Sequence, residues 1–389
     1  MRTVIGIPAR GEDYFPRPSI TQEIWLKLEK GGNLLLVAPR RVGKSSILLD
    51  LLDNPKDDYI LIYYISESVN NTNEFYKKLF NHVNEKLNTT KKYKNKIETF
   101  SKDFISRIES ISVKNVSITL GESKLDYRKE FENMLDEIEF ENERLIILVD
   151  EFAQTVENII EDIDERTAIN FLETKREIRL SEKLHKKVQF IYAGSIGLEN
   201  IVSKFNGTKF INDLTPIPVS PLTTAEAKEL VIKILTTNSI KIDDIVFEYL
   251  VKKIDWLIPF YFQIILEECG KILNDSVSKQ ITREIIELAY NNVLKQRIYF
   301  EHWFGRLRTA YSGDEFSFAK EILNIISTNK TLSSLEIHDY SIKYKLEASY
   351  TSIVNALKDD GYINHNDDPK IYRFNSPLLN EWWYRNVAN

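Results

Sequence analysis

The stretch from Leu34 to Leu49 constrains this chain more than any other. Leu34 to Val37 is a continuous apolar run, the pattern of a strand buried on both faces of a parallel sheet. Ile47 to Leu52 reads as a buried helix with Asp50 inside it. Between them Ala38-Pro39-Arg40-Arg41-Val42-Gly43-Lys44-Ser45 follows the spacing G-x-x-x-x-G-K-[ST], with Ala38 replacing the first glycine. A strand, this turn and a helix together form a phosphate cradle. Turn amides and the helix N-terminus converge on the β-phosphate, Lys44 adds a point charge, and Ser45 offers a hydroxyl to Mg²⁺. Gly43 is expected to let the backbone approach the ligand closely. Pro39, Arg40, Arg41, Val42, Gly43, Lys44, Ser45 and Ser46 are therefore the expected contacts to a nucleotide, ATP or ADP.

At 389 residues the chain has room for two or three domains and a sizeable core. Its 43% hydrophobic and 28% charged content is that of a soluble globular protein. The single cysteine, Cys269, excludes an internal disulfide and suits a reducing cytoplasm. Neither a signal peptide nor an apolar run of membrane-spanning length is expected. A net charge of −6 gives no global attraction to nucleic acid or anionic lipid, so any such binding must be local.

Along the chain, the polar arm Gly11 to Pro18 leads into a helix from about Ser19, read as its N-cap. Ile20, Ile24 and Leu28 share one face with Trp25 beside them, and Gly31-Gly32 ends the helix. The arm and helix either cover an adenine or simply pack at the N-terminus. Tyr59 to Ile65 is a second strand. Residues 72 to 110 are helical, interrupted at Lys91 to Lys96, a basic stretch that is a nucleic-acid contact or a solvated turn. Val113 to Leu120 reads as a half-buried strand, and Leu125 to Phe140 as an acidic amphipathic helix.

Leu145 to Val149 is another buried strand, ending in Asp150-Glu151. Ligands of doubly wound sheets bind at the carboxyl ends of strands. About 105 residues after the phosphate loop, Asp150 is placed to hold Mg²⁺ through its water shell and Glu151 to activate an attacking water. Ile163 to Leu180 is helical, with Arg176 and Arg179. Val188 to Ser195 is a fourth strand, and Ser195 either senses the γ-phosphate or caps the helix near Leu198. Pro216 to Leu222 carries the last strand out of the sheet. Residues 223 to 298 are helical in pattern, with capping-box chemistry at Thr223 to Ala227 and a break at Asp255 to Phe260. Helices over Phe316–Ile326, Ser333–Tyr340 and Glu347–Leu357, then Gly361-Tyr362-Ile363 and Lys370 to Phe374, form three helices and a hairpin wing.

With these segments in place the chain resembles the prokaryotic AAA+-related ATPases of the signal-transduction (STAND) type, in the archaeal-ATPase-like branch with a C-terminal winged helix. The resemblance covers nearly the whole chain. It rests on Gly11 to Arg17, Ala38 to Ser45, Val149-Asp150-Glu151-Phe152, Gly194 to Leu198, and Asp360-Gly361-Tyr362 to Trp382-Trp383. It implies an α/β fold: a P-loop NTPase parallel sheet sandwiched by helices over 1–222, a helical lid over 223–298 and a winged-helix domain over 299–389. It also implies that Phe15 and Arg17 lie near the adenine, that Ser195 is a sensor, and that Pro259 belongs to a lid motif touching the nucleotide. Two departures stand out. Leu257 occupies the place of the lid's usual glycine. Ser203 to Phe210, where AAA+ rings place an arginine finger, holds lysines but no arginine. That favours a switch over a ring motor.

The expected function is thus a slow, Mg²⁺-dependent ATPase acting as a nucleotide-driven switch in signalling, stress or defence, with output through a protein partner or effector chain. Nucleotide-dependent self-association is compatible with it. The competing reading is a DNA-handling ATPase that sets its winged helix on duplex DNA. Against it, residues 313–389 carry eight Lys and Arg and eleven Asp and Glu, a net of −3. The expected recognition helix, Ala348 to Lys358, has one cation where a DNA-binding helix needs several. A scaffold that binds ATP without hydrolysing it is disfavoured by intact Lys44, Ser45, Asp150 and Glu151.

Overall fold

The computed structural model describes residues 1–113, 125–194, 197–274, 276–365 and 367–388, the side chains of 105–113 excepted. The chain divides into two compact units, one of residues 17–37 and 47–217, the other of 1–16, 38–46 and 218–389.

The first unit follows the alternation read in the sequence. Its elements are α1 (Pro18–Glu29), β1 (Asn33–Val37), α2 (Lys44–Asp53, in this unit from Ile47), β2 (Tyr59–Ile65), α3 (Thr72–Thr89), α4 (Lys94–Val113) and α5 (Tyr127–Glu137). Then come β3 (Arg144–Asp150), α6 (Phe152–Asp162), α7 (Glu165–Leu180), β4 (Val188–Tyr192), α8 (Leu198–Ser203) and β5 (Leu214–Pro218). The strands form a five-stranded parallel sheet in the order β2-β3-β4-β1-β5, flanked by helices. Leu34 stands beside Ile191, Ile147 beside Phe190 and Ile65 beside Asp150. Leu145 to Val149 are wholly buried, as a central strand covered on both faces requires. Each such side chain contributes roughly 1.5–3 kcal/mol of burial.

Three sequence expectations are corrected here. Helix α1 begins at Pro18 with Arg17 as its N-cap, not Ser19. Proline fits the first helical position, whose amide has no helical partner. The helix read from Ile163 is α7, which starts at Glu165 behind the cap Asp164, whose Oδ1 accepts from Thr167 N at 2.6 Å, and a further helix, α6, precedes it directly after Glu151. Strand β5 is earlier and shorter than Pro216 to Leu222; Pro216 and Pro218 are accommodated because β5 is an edge strand. Of the strand expected over Val113 to Leu120, Val113 closes α4 and the rest lies outside the described residues.

Two cations buried in this unit, Arg179 and Lys175, tie its elements together. Arg179 Nε and Nη2 donate to Asp213 at 2.6 and 2.8 Å, and Nη2 also reaches Phe210 O at 2.7 Å, tying α7 to the segment before β5. Lys175 is fully buried, its Nζ 4.3–5.2 Å from the ring centroids of Phe190, Phe75 and Tyr76. Burial, then the Arg179 charge, pushes its amine well below the usual lysine range.

The second unit joins the N-terminal sixteen residues and loop 38–46 to the C-terminal half. Its elements are α9 (Thr224–Thr237), β6 (Lys241–Ile242), α10 (Asp244–Ile254), α11 (Pro259–Leu273), β7 (Gln280–Ile281), α12 (Arg283–Lys295) and α13 (Glu301–Ala310). They continue with α14 (Gly313–Asn329), β8 (Leu332–Ser333), α15 (Ser334–Lys343), α16 (Tyr350–Asp359), β9 (Ile363–His365), β10 (Ile371–Phe374) and α17 (Pro377–Asn386). The capping box at Thr223 is formed with Glu226. Helices α14 to α16 precede an antiparallel sheet of order β8-β10-β9. Helices α13 and α17 escaped the sequence reading, because Trp303, Phe304, Trp382 and Trp383 crowd short segments without a clean stripe. Trp382 and Trp383 are both buried, Trp383 donating Nε1–H to Asn324 Oδ1 at 2.9 Å. No helix among the described residues is long and apolar enough to cross a membrane.

Candidate functional site

In the C-terminal unit the phosphate loop is built from backbone strain and one lysine. Arg41 and Gly43 have φ of 68° and 109°. A side chain at Gly43 would meet nothing within 4 Å, so its positive φ, rather than crowding, is what calls for glycine. Lys44 is buried and its ammonium donates to Ala38 O at 2.5 Å and Pro39 O at 2.8 Å. The cation that the spacing assigns to phosphates is thus satisfied by carbonyls of its own loop. Val42 and Ser46 are buried beside it, and Ser45 is half-buried.

Residues of α11 and of the turn after α16 pack against this loop. The Arg41 guanidinium lies 4.8 Å from the ring centroid of Phe260, next to Pro259, the first residue of α11. Burial, then Arg40, lowers the Arg41 pKa from its ordinary value. At the turn between α16 and β9, Gly361 has a φ of 86°. A Cβ there would come within 2.6 Å of Pro39 Cβ and 2.9 Å of Trp256 Cη2. The next residue, Tyr362, donates its hydroxyl to Trp303 O at 2.6 Å. His302, whose ring centroid is 4.0 Å from that of Trp303, is pushed down to about 3 by burial, then by Arg41 and Arg40.

Phe15, also in this unit, is buried with Lys233 Nζ 5.1 Å from its ring centroid. The arm before it is strapped down by Met1 N to Thr237 Oγ1 at 2.7 Å and Val4 N to Gln263 Oε1 at 2.6 Å.

In the sheet unit the paired carboxylates close β3. Asp150 is buried, and each of its carboxylate oxygens accepts one bond, Oδ2 from Tyr63 O–H at 2.8 Å and Oδ1 from Glu151 N at 3.1 Å. Its backbone oxygen accepts from Ser66 N at 3.0 Å and Ser66 Oγ at 3.1 Å. Glu151 is half-buried with φ 57°, a left-handed conformation unusual for glutamate, and serves as N-cap of α6. Tyr63 was not foreseen as a site residue. Burial raises its pKa, with Asp150 adding to the rise, so it stays a donor. The available signal was its place near the end of β2, adjacent to β3. Arg17 is buried in this unit, and its carbonyl accepts from Ile20 N and Thr21 N. Ser195 lies outside the described residues.

Strands β1 and β3 both run parallel to β4 between them, so Val37 and Asp150 end at the same edge of the sheet. Chemically, the carboxylate pair offers an oriented metal-shell acceptor and a basic oxygen. The loop offers positive-φ backbone and a movable ammonium. Among the described residues no cluster of His, Cys, Asp or Glu holds a metal unaided.

The AAA domain family model matches residues 27–202. No curated protein matches the chain by sequence. Among solved structures, the Walker-type ATPase paby2304 of Pyrococcus abyssi is similar at 18% identity, with a TM-score of 0.63 over 98% of this chain and 99% of that one. The ORC2 protein of Aeropyrum pernix, in its ADPNP-ADP complexes, is similar at 11% identity and a TM-score of 0.58, over 97% and 96% of the two chains. The fold is shared along nearly the full length. Residues 27–202 therefore carry an AAA-type P-loop ATPase domain.

Proposed function

We propose that this chain is an Mg²⁺-dependent ATPase of the STAND type that works as a nucleotide-driven switch in signalling, stress or defence. The observation that carries this reading is the state of the phosphate loop: Lys44 is bound to the carbonyls of Ala38 and Pro39, and Pro39 abuts Gly361. To receive a triphosphate, Lys44 exchanges those carbonyls for phosphate oxygens. The loop then shifts at Pro39, the residue against which the Gly361 turn rests. Arg41 transmits the same shift to Phe260 at the start of α11. The occupied state is thereby read by residues 223–298, acting as a lid, and by residues 299–389, acting as a winged-helix module that engages a protein partner.

Within the reaction, Pro39 to Ser46 bind the nucleotide, and Phe15, Arg17 and Pro259 border its base and ribose. Ser45 Oγ and Asp150 would each offer an oxygen to Mg²⁺, whose charge would offset that of the phosphates. Glu151 takes the proton of the attacking water as its oxygen bonds to the γ-phosphorus and the bond to the β–γ bridging oxygen breaks, ADP leaving with that oxygen, and Ser195 senses the γ-phosphate. The similarity to a protein solved with ADPNP and ADP supports the ligand class.

Single-turnover hydrolysis and ADP release test the reading in a Gly361→Asn chain. Asparagine tolerates the positive φ of 86°, while its Cβ crowds Pro39. The expected result is ADP release changed at least fivefold in a chain that still folds, with its melting temperature lowered by the crowding. Unchanged release and unchanged ATP affinity would sink the coupling.

A further inference from the structure

A second charged cavity lies in the C-terminal unit, at residues that the nucleotide reading does not use. It encloses about 720 Å³ and is lined by Lys252 and Lys253 from the end of α10, Lys330 after α14, Arg373 of β10, and Arg385 of α17. In a chain of net charge −6 this cavity is lined by five cations and one carboxylate, Glu381, a local reversal of sign. The sequence concealed it, because the cations come from four separated segments.

We propose that this cavity is a binding site for a small phosphate-bearing anion, independent of the phosphate loop. Three features support it. First, carboxylates orient three of the cations: Asp255 holds Arg373 at 2.5 Å, Glu287 holds Lys253 at 3.0 Å, and Glu381, itself on the cavity wall, accepts from Arg385. Lys252 and Lys330, both exposed, form no ion pair among the described residues, so their charge is available to a ligand. Second, Asn380 on the wall is nine-tenths buried, and its Oδ1 has no hydrogen-bond partner. A ligand hydroxyl or amine would supply the donor that this oxygen lacks. Third, Tyr290 and Phe374 supply a buried aromatic floor. Oriented cations, one unsatisfied amide and apolar walls in a concave space of this size are the make-up of a small-molecule pocket. A duplex is met by a broader basic face, and α16 offers Lys358 alone.

Calorimetry on the full chain carrying Lys44→Ala, in about 0.15 M salt, tests the site with inorganic tripolyphosphate and AMP as probes. At least one probe is expected to bind despite Lys44→Ala, and to weaken at least tenfold when Lys252→Glu and Lys330→Asn are added. Both side chains are exposed, and asparagine accepts the φ of 71° at Lys330, so the fold is retained. Tighter AMP marks a nucleotide as the ligand, tighter tripolyphosphate a free polyphosphate, and either supports the site. Absence of binding, or equal binding in both chains, overturns it. A short DNA duplex that displaces the probe and loses affinity through the same two substitutions also overturns it, in favour of a nucleic-acid interface.

Discussion

Asp150 and Lys44 meet their surroundings in opposite ways. Asp150 has one donor on each carboxylate oxygen, from Tyr63 and from the amide of Glu151, and Glu151 stands ready in a left-handed turn. Lys44 instead spends its donors on Ala38 and Pro39, within a loop pressed by Phe260 and the Gly361 turn. The carboxylate half has its orienting donors in place, whereas the Lys44 ammonium is engaged by carbonyls of its own loop. Binding energy is then partly diverted into rearranging the loop, which suits a switch better than a fast motor.

Glu151→Gln asks most of the organised half. It should keep ATP affinity and lose on the order of 10²–10⁴-fold in single-turnover rate, since the amide holds water but takes no proton. Turnover at the parent rate would assign the base elsewhere. Lys44→Ala asks the same of the loop half. Losing a charge-assisted contact of about 1.5–3 kcal/mol should weaken ATP roughly 10–100-fold by calorimetry, with the fold intact. Unchanged affinity would break the loop assignment.

Tyr63→Phe is a finer cut. It removes one orienting bond from Asp150, worth about 0.5–1.5 kcal/mol, and should raise the Mg²⁺ concentration for half-maximal turnover by roughly 2–10-fold. No shift would mean the carboxylate is positioned without the tyrosine.

Lys175→Met bears on whether the sheet unit stands on its own. A lysine whose folded pKa is depressed binds fewer protons folded than unfolded, so its cost grows as pH falls below the ordinary lysine value and levels off below the folded one. Methionine should therefore raise the melting temperature at neutral pH by about 2–4 °C per kcal/mol recovered, with a smaller gain toward pH 10. ATP affinity should stay within twofold. A large loss of affinity would show that the carboxylate half is not preformed.

Much of this was legible in the sequence because its signals are local. Apolar runs at Leu34 to Val37, Tyr59 to Ile65 and Leu145 to Val149 gave the strands, and the Gly43-Lys44-Ser45 spacing gave the loop. Asp150-Glu151 followed from its place at a strand end. Tyr63, Gly361 and the cavity beside Asn380 were hidden, since each depends on pairings between segments far apart in the chain. Helix α6 was missed because Glu151 starts it from a left-handed conformation that no propensity scale favours for glutamate. The contact to the phosphate loop runs through a glycine, the residue least visible to a search for aromatic docking groups.

Amide hydrogen exchange with and without a non-hydrolysable ATP analogue tests the central claim, that the loop's change of partners is felt at the Gly361 turn. The analogue should slow exchange across residues 38–46. It should also quicken exchange at Gly361 and Tyr362, whose amides now donate to Lys358 O and Leu357 O. Both effects should vanish in the Lys44→Ala chain. Protection of the loop with no change at Gly361 and Tyr362 would contradict the coupling.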